Sequence, residues 1–157
     1  MPKKKRIITK ETEIEEIIRK SVCCYIGMVD ENNRPYVLPF NFGYKDKCIY
    51  LHSAPMGKKV DILKKNNSVC IVFSNDHELS WQHQDVACSY SMSYKSVICN
   101  GKVEFIEDFE KKVEAMNIIM QQYTGRDFKY SKPAVDGVLV YKVVVEEITA
   151  KEFGNLS

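Results

Sequence analysis

The sequence predicts a mainly β domain with short helices, folded as a closed or partly closed antiparallel barrel. Three observations carry this. Apolar residues alternate with smaller or polar ones through Tyr36, Leu38, Phe40 and Phe42, a period of two. Turn-forming clusters such as Asp30-Glu31-Asn32-Asn33 separate short runs rich in Val, Ile, Cys and Tyr. The helical patterns are short and the connections are turns, so the regular βαβ crossovers of a doubly wound sheet are not expected.

In chain order, Thr12-x-x-Glu15 has the form of a capping box, and Ile14, Ile17 and Ile18 follow at helical spacing, which predicts a helix over 12–20. Residues 21–29 read as a buried strand, 36–42 as a second and 48–52 as a third, with turns at 30–33 and 44–47; together they form a meander. Val60, Ile62 and Leu63 restore helical spacing over 57–65, and 69–73 is again a strand. Residues 75–84 are polar and irregular, and residues 86–106 are strand-like over much of their length. Asp108 can cap a helix that runs to about Tyr123, with Phe109, Val113, Met116, Ile119 and Met120 on one face. A loop over 125–133 precedes a final strand over 138–148.

The 157 residues, 45% apolar and 28% charged, suit one folded domain over 11–153 behind a flexible basic tail over 1–10. A net charge of +2 gives no general attraction for nucleic acid. The longest apolar run, 22–29, falls far short of the roughly 20 residues of a membrane span. The basic N-terminus is followed by acidic residues 11–16, not by an apolar stretch, so a secretory signal is not expected and the protein reads as cytoplasmic. Six cysteines without a C-x-x-C pair, mostly inside apolar runs, read as small buried hydrophobes in a reducing compartment. The spacing of His77, His83 and Cys88 does not suit zinc, and no metal site is expected.

Chemistry concentrates between His52 and Lys59. Against the pattern G-x-x-x-x-G-K-[ST], Gly57 and Lys58 match, but His52 replaces the first glycine and Lys59 the hydroxyl residue that would hold Mg²⁺. Nucleotide hydrolysis is therefore disfavoured. Gly57-Lys58-Lys59 nevertheless opens a helix, where unpaired N–H groups and the positive dipole end attract an anion, and His52 and Ser53 end the strand before it. The plainer reading is a solvated lysine pair beside an incidental histidine. Lys95 and Ser96, in the run Ser93–Gly101, can add donors to one wall, or can simply lie exposed on a strand. No G-x-G-x-x-G fingerprint and no Ser–His–Asp or Cys–His set is present.

Four segments in register resemble the FMN-binding split-barrel, or pyridoxamine 5'-phosphate oxidase-like, superfamily, and within it the nitroimidazole-resistance (Nim-type) branch. They are Pro35–Phe42, Ile49–Ala54, Gly57-Lys58-Lys59, and Tyr94–Val97 with Gly101. The resemblance covers about residues 6–152 and implies a six-stranded antiparallel split β-barrel that binds FMN at a homodimer interface. By position, His52, Ser53, Lys58 and Lys59 would hold the phosphate, Pro39, Phe40 and Asn41 would line the isoalloxazine, and Ser96 and Val97 would complete the pocket. Trp81 and Tyr90 are candidates for covering the partner's open face. The implied activity is an FMN-dependent oxidoreductase, a flavin or nitro-group reductase that takes electrons from NADH or NADPH and acts on a small molecule. The alternatives are a non-catalytic flavin carrier or sensor, and a haem-handling split barrel with His52 or His83 as ligand. The sequence shows no counterpart of the arginine and histidine that grip pyridoxal phosphate in the true oxidase, which argues against vitamin B6 chemistry.

Overall fold

A computed structural model describes residues 4–154. In chain order its elements are β1 (Lys4–Ile8), α1 (Glu11–Lys20), β2 (Cys24–Val29), β3 (Pro35–Phe40), β4 (Gly43–Lys45), β5 (Cys48–Ser53), α2 (Lys58–Lys65) and β6 (Ser68–Ser80). A 3-10 turn (Ala87–Ser89), β7 (Ser91–Ile106), α3 (Phe109–Thr124), α4 (Lys132–Asp136) and β8 (Leu139–Gly154) follow. The strands form one antiparallel sheet in the order β3-β2-β6-β7-β8-β5-β4, with β1 also on β8. The two ends of that path, β3 and β4, are joined in the chain by only Asn41 and Phe42. The sheet therefore curls until its ends meet, with no β3–β4 ladder to seal the seam. This is the split antiparallel barrel that the sequence predicts, with eight strands in place of six; β1 and the three-residue β4 are the additions.

β8 is the pivot. One of its edges pairs with β7 from Val140 to Phe153, while the other is shared end to end by β5, on residues 139–144, and β1, on residues 150–154. The inward positions of each strand fill the barrel: Cys24, Ile26 and Met28 from β2, Val69, Ile71 and Phe73 from β6, Val97, Cys99 and Val103 from β7, Tyr141 and Val143 from β8, and Ile49 and Leu51 from β5. Phe42 seals the seam from inside, edge-on to Phe73 at 4.9 Å. The Tyr123 hydroxyl accepts a hydrogen bond from the Phe42 N–H and donates to the Val22 carbonyl, which ties α3 across the β3–β4 link. α1 buries Ile14, Ile17 and Ile18 against β6 and β7.

Several expectations are corrected. Residues 4–8 are not a tail but a strand: they pair in register with β8, Ile8 is buried, and Arg6 binds both Glu13 of α1 and Glu152 of β8. Residues 1–3 of the expected tail lie outside the described residues. The Thr12–Glu15 capping box does not form. α1 begins at Glu11 behind Lys10, so Thr12 sits inside the first turn. Instead, Asn75 Nδ2 holds the other end of α1, donating to the Ile17 carbonyl and Ser21 Oγ. The irregular stretch after Asn75 is strand as far as Ser80, with a bulge between Asn75 and Glu78. It is polar because this end of the β6–β7 ribbon is largely exposed on both faces. β8 runs past Ile148 to Gly154 because both β7 and β1 remain there to pair with it. α4, not expected, is capped by Ser131, whose Oγ accepts from the Ala134 N–H. The α3 helix and its Asp108 cap are as predicted.

Gly43 lets α3 lie directly on β4: a Cβ there would stand 2.7 Å from the Ile118 carbonyl oxygen and the Ile119 nitrogen, both backbone atoms that cannot swing aside. Gly43→Ala is expected to cost about 1–3 kcal/mol of stability, read as a lower urea midpoint. A variant as stable as the parent would show that α3 does not rest on β4 in this way.

Candidate phosphate site

The site is built where β3, β5 and the start of α2 converge. On β5, side chains alternate, so His52 faces outward while Ser53, like Leu51, points inward and is buried. Four residues later Gly57 takes a φ of 140°, a backbone conformation that side-chain-bearing residues rarely adopt, and the chain turns into α2. No side chain caps this helix, so the N–H groups of its first turn are free of side-chain acceptors. Lys58 and Lys59 open α2 and reach back over β3. Lys58 Nζ sits 4.4 Å from the Tyr36 ring centroid and Lys59 Nζ 5.2 Å from that of Phe40.

Among the described residues neither ammonium has a carboxylate partner within salt-bridge distance. Aromatic faces steady them, at about 0.5–1 kcal/mol each where exposed, without neutralising them. Asp61, in the same first turn of α2, is the acidic group on this helix. His52 registers the local positive field: partial desolvation, then the Lys59 ammonium, holds its imidazole below the ordinary histidine range. Beneath, the buried Tyr141 ring of β8 meets Phe40 edge-on at 6.3 Å, and its hydroxyl lies beside Ser53 without a properly formed hydrogen bond. Burial pushes that phenol up to about 12, the neighbouring Ser53 hydroxyl partly offsetting it.

The structure thus brings together Phe40, His52, Ser53 and Lys59, with Lys58 alongside. Pro39 and Asn41 flank Phe40 and are exposed at the end of β3. Ser96 and Val97 stand elsewhere in the single chain. Val97 is fully buried in the barrel, whereas Ser96 faces a groove of about 560 Å³ between β1, α1, β7 and β8, lined also by Lys5, Ile8, Ile14, Ile148 and Lys151. A larger groove, about 730 Å³ between α1, β4 and α3, holds none of the sequence-predicted residues. Trp81 and Tyr90 stack on each other at 5.4 Å beyond the barrel, at the tip of the β6–β7 ribbon. Among the described residues His, Cys, Asp and Glu form no cluster able to hold a metal. Of the six cysteines, Cys24 and Cys99 are buried and Cys88 is exposed. Sequence reasoning missed Tyr36 and Tyr141; the signal for the second was a single hydroxyl inside a Val-rich strand.

Chemically the junction is a donor set. Two ammoniums, an uncapped helix start and, beside Lys59, an imidazole that can donate from one nitrogen share the outer side, and the Ser53 hydroxyl lies on the inner side of the same strand end. Such a set matches a phosphate, whose oxygens accept. An imidazole with a depressed folded pKa binds a proton more readily when unfolded. His52 therefore costs no stability well above pH 6.5 and destabilises the fold progressively as pH falls through and below that value. Lys59→Met is expected to move the His52 titration partway back up towards 6.5, followed by NMR. An unmoved titration would mean that Lys59 and His52 are not neighbours in solution.

Comparison with known proteins agrees with the fold. Residues 10–152 match the family model described as pyridoxamine 5'-phosphate oxidase. The crystal structure of a "putative 5-nitroimidazole antibiotic resistance protein" from Bacteroides thetaiotaomicron is 48% identical, with a TM-score of 0.87 over 98% of this chain and 90% of that one. The FAD and heme binding protein of Mycobacterium smegmatis superposes with a TM-score of 0.80 at 12% identity, over 92% of this chain and 72% of that one. A FAD-binding protein of Mesorhizobium loti gives 0.69 at 17% identity, over 98% and 100%. These last two share the fold. No curated protein matches the chain. The chain belongs to the pyridoxamine 5'-phosphate oxidase-like family, and its fold is that family's split barrel.

Proposed function

We propose that the protein binds FMN by its phosphate at the β5–α2 junction and works as an oxidoreductase, a flavin or nitro-group reductase supplied by NADH or NADPH. The observation that carries this is the lysine pair itself: Lys58 and Lys59, without carboxylate partners among the described residues, at an uncapped helix start that follows His52 and Ser53. The donor set fits a phosphate monoester. Bound FMN would supply reversible transfer of a hydride or of single electrons. The protein's part is to hold and orient. Lys58 and Lys59 balance the phosphate charge, Ser53 and His52 direct hydrogen bonds to it, and Pro39, Phe40 and Asn41 offer an edge for the ring system. The nitro-group substrate is supported by the 48% identity to the Bacteroides protein.

The cluster lies on an open face, and the reading includes a homodimer in which a second copy covers it. An apolar arm supports this: Leu79, Trp81, Val86 and Met92 are all exposed at the far end of the β6–β7 ribbon. Ser96, which faces the groove under α1, would join the pocket through the partner, and Val97, whose side chain fills the barrel, would contribute its backbone only. A second reading is a non-catalytic flavin carrier or sensor, which turnover with a nicotinamide donor separates from a reductase.

The purified protein is expected to be yellow, and Lys58→Ala with Lys59→Ala to weaken FMN binding about 100-fold or more, at roughly 1.5–3 kcal/mol per charge-assisted contact. Full retention of flavin in the double variant would sink the phosphate assignment. The mass of the released cofactor separates FMN from FAD, a Soret band would point to haem, and oxidation of NADH or NADPH with a nitroimidazole or free flavin separates reductase from carrier.

A further inference from the structure

Tyr141 stands out among the groups the proposed function does not use. It comes from near the start of the β8 pivot, opposite Leu51 of β5 and Phe105 of β7, and its side chain is fully buried. Two rings fix it, Phe40 at 6.3 Å and Phe105 at 5.7 Å, both edge-on. Its hydroxyl is nonetheless one of three buried side-chain polar atoms without a hydrogen bond among the described residues, and it ends beside Ser53. A buried hydroxyl left unpaired destabilises a fold, and a phenylalanine would fill the same space without that cost. Ser53 meanwhile donates its own hydrogen to the adjacent Ala54 carbonyl at 2.9 Å, which leaves the lone pairs of its oxygen able to accept.

We propose that Tyr141 is a positioning residue for the phosphate end of the site: when Ser53 turns its hydrogen from the Ala54 carbonyl to a phosphate oxygen, the Tyr141 hydroxyl donates to Ser53 Oγ and holds it there. This deepens the FMN reading and rests on it. Every group then has a partner. The phenol donates to the serine, the serine donates to the phosphate, and donors in series strengthen one another. Phe40 carries the same arrangement to the surface, because Tyr141 meets it from below and Lys59 from above. Ligand and core are thereby connected through one serine.

The test is Tyr141→Phe, with Ser53→Ala and the double variant, in the full-length protein stripped of cofactor and titrated with FMN by fluorescence. Tyr141→Phe is expected to raise the FMN dissociation constant about 10-fold, the weight of one good hydrogen bond, while raising the melting temperature of the cofactor-free protein by about 2–4 °C. A purely structural tyrosine would not move the two in opposite senses. The double variant should bind no more weakly than Ser53→Ala alone, since the phenol acts only through the serine. Unchanged FMN affinity in Tyr141→Phe, a lower melting temperature, or additive losses in the double variant would overturn the proposal. If Lys58→Ala with Lys59→Ala still abolishes binding in that case, the phosphate reading stands and only the role of Tyr141 falls. Wild-type protein that does not bind FMN overturns both.

Discussion

The β7–β8 ladder is the constraint on which the rest of the molecule depends. Two sixteen-residue strands pair along nearly their full length, shifting register once, between Asn100 and Gly101. β7 then carries β6, β2 and β3, and β8 carries β1, β5 and β4. The two arms of the sheet are thus built on opposite sides of one ladder and meet again at Asn41-Phe42. Side chains alternate along each strand, so a slip of one residue between β7 and β8 would turn Tyr141 and Val143 outward and empty the barrel. The same slip would separate Phe40, on the β7 arm, from Ser53, on the β8 arm. The ladder that fills the core is therefore also what assembles the site.

The site uses fold geometry in place of an enclosing cavity. Lys58 and Lys59 are brought to β3 by the sharp entry at Gly57, and aromatic rings hold their ammonium groups where carboxylates would have cancelled them. An exposed positive cluster of this kind attracts an anion but cannot by itself exclude water from a flat ring system. Under the proposed function a second copy supplies that exclusion, and the exposed Leu79, Trp81, Val86 and Met92 are the apolar surface available for it. The interior side is already prepared: Phe40, Tyr141 and Ser53 form a rigid floor, so binding would order few side chains and lose little entropy.

Much of this was legible in the sequence because it rests on local rules. Period-two alternation marked β3, helical spacing marked α1 and α2, and an aspartate cap marked α3. The order His52, Ser53, Gly57, Lys58, Lys59 marked the strand end and the glycine-led helix start that brings the two lysines over β3. The failures are tertiary. β1 is basic and reads as a tail; only the presence of Ala150 opposite Ile8, and of Glu13 and Glu152 beside Arg6, makes it a strand. The outer β6–β7 ribbon lacks a buried face and so lacks a pattern. Tyr141 could not be told from its Val neighbours, because its significance comes from Ser53, on a strand 88 positions earlier in the chain. Ser96 and Val97 show the limit of local reasoning: they are adjacent in sequence, yet one faces the barrel and the other a groove under α1.

The central claim is that the β5–α2 junction recognises phosphate, and that the flavin ring is held less by shape than by this anchor. The most direct measurement is the ratio of dissociation constants for riboflavin and FMN, which differ only in the phosphate, on cofactor-free wild-type protein at low salt. The expected ratio is about 100 or more, falling as salt screens the lysines. Equal affinity for the two ligands would contradict the claim, whatever colour the protein has.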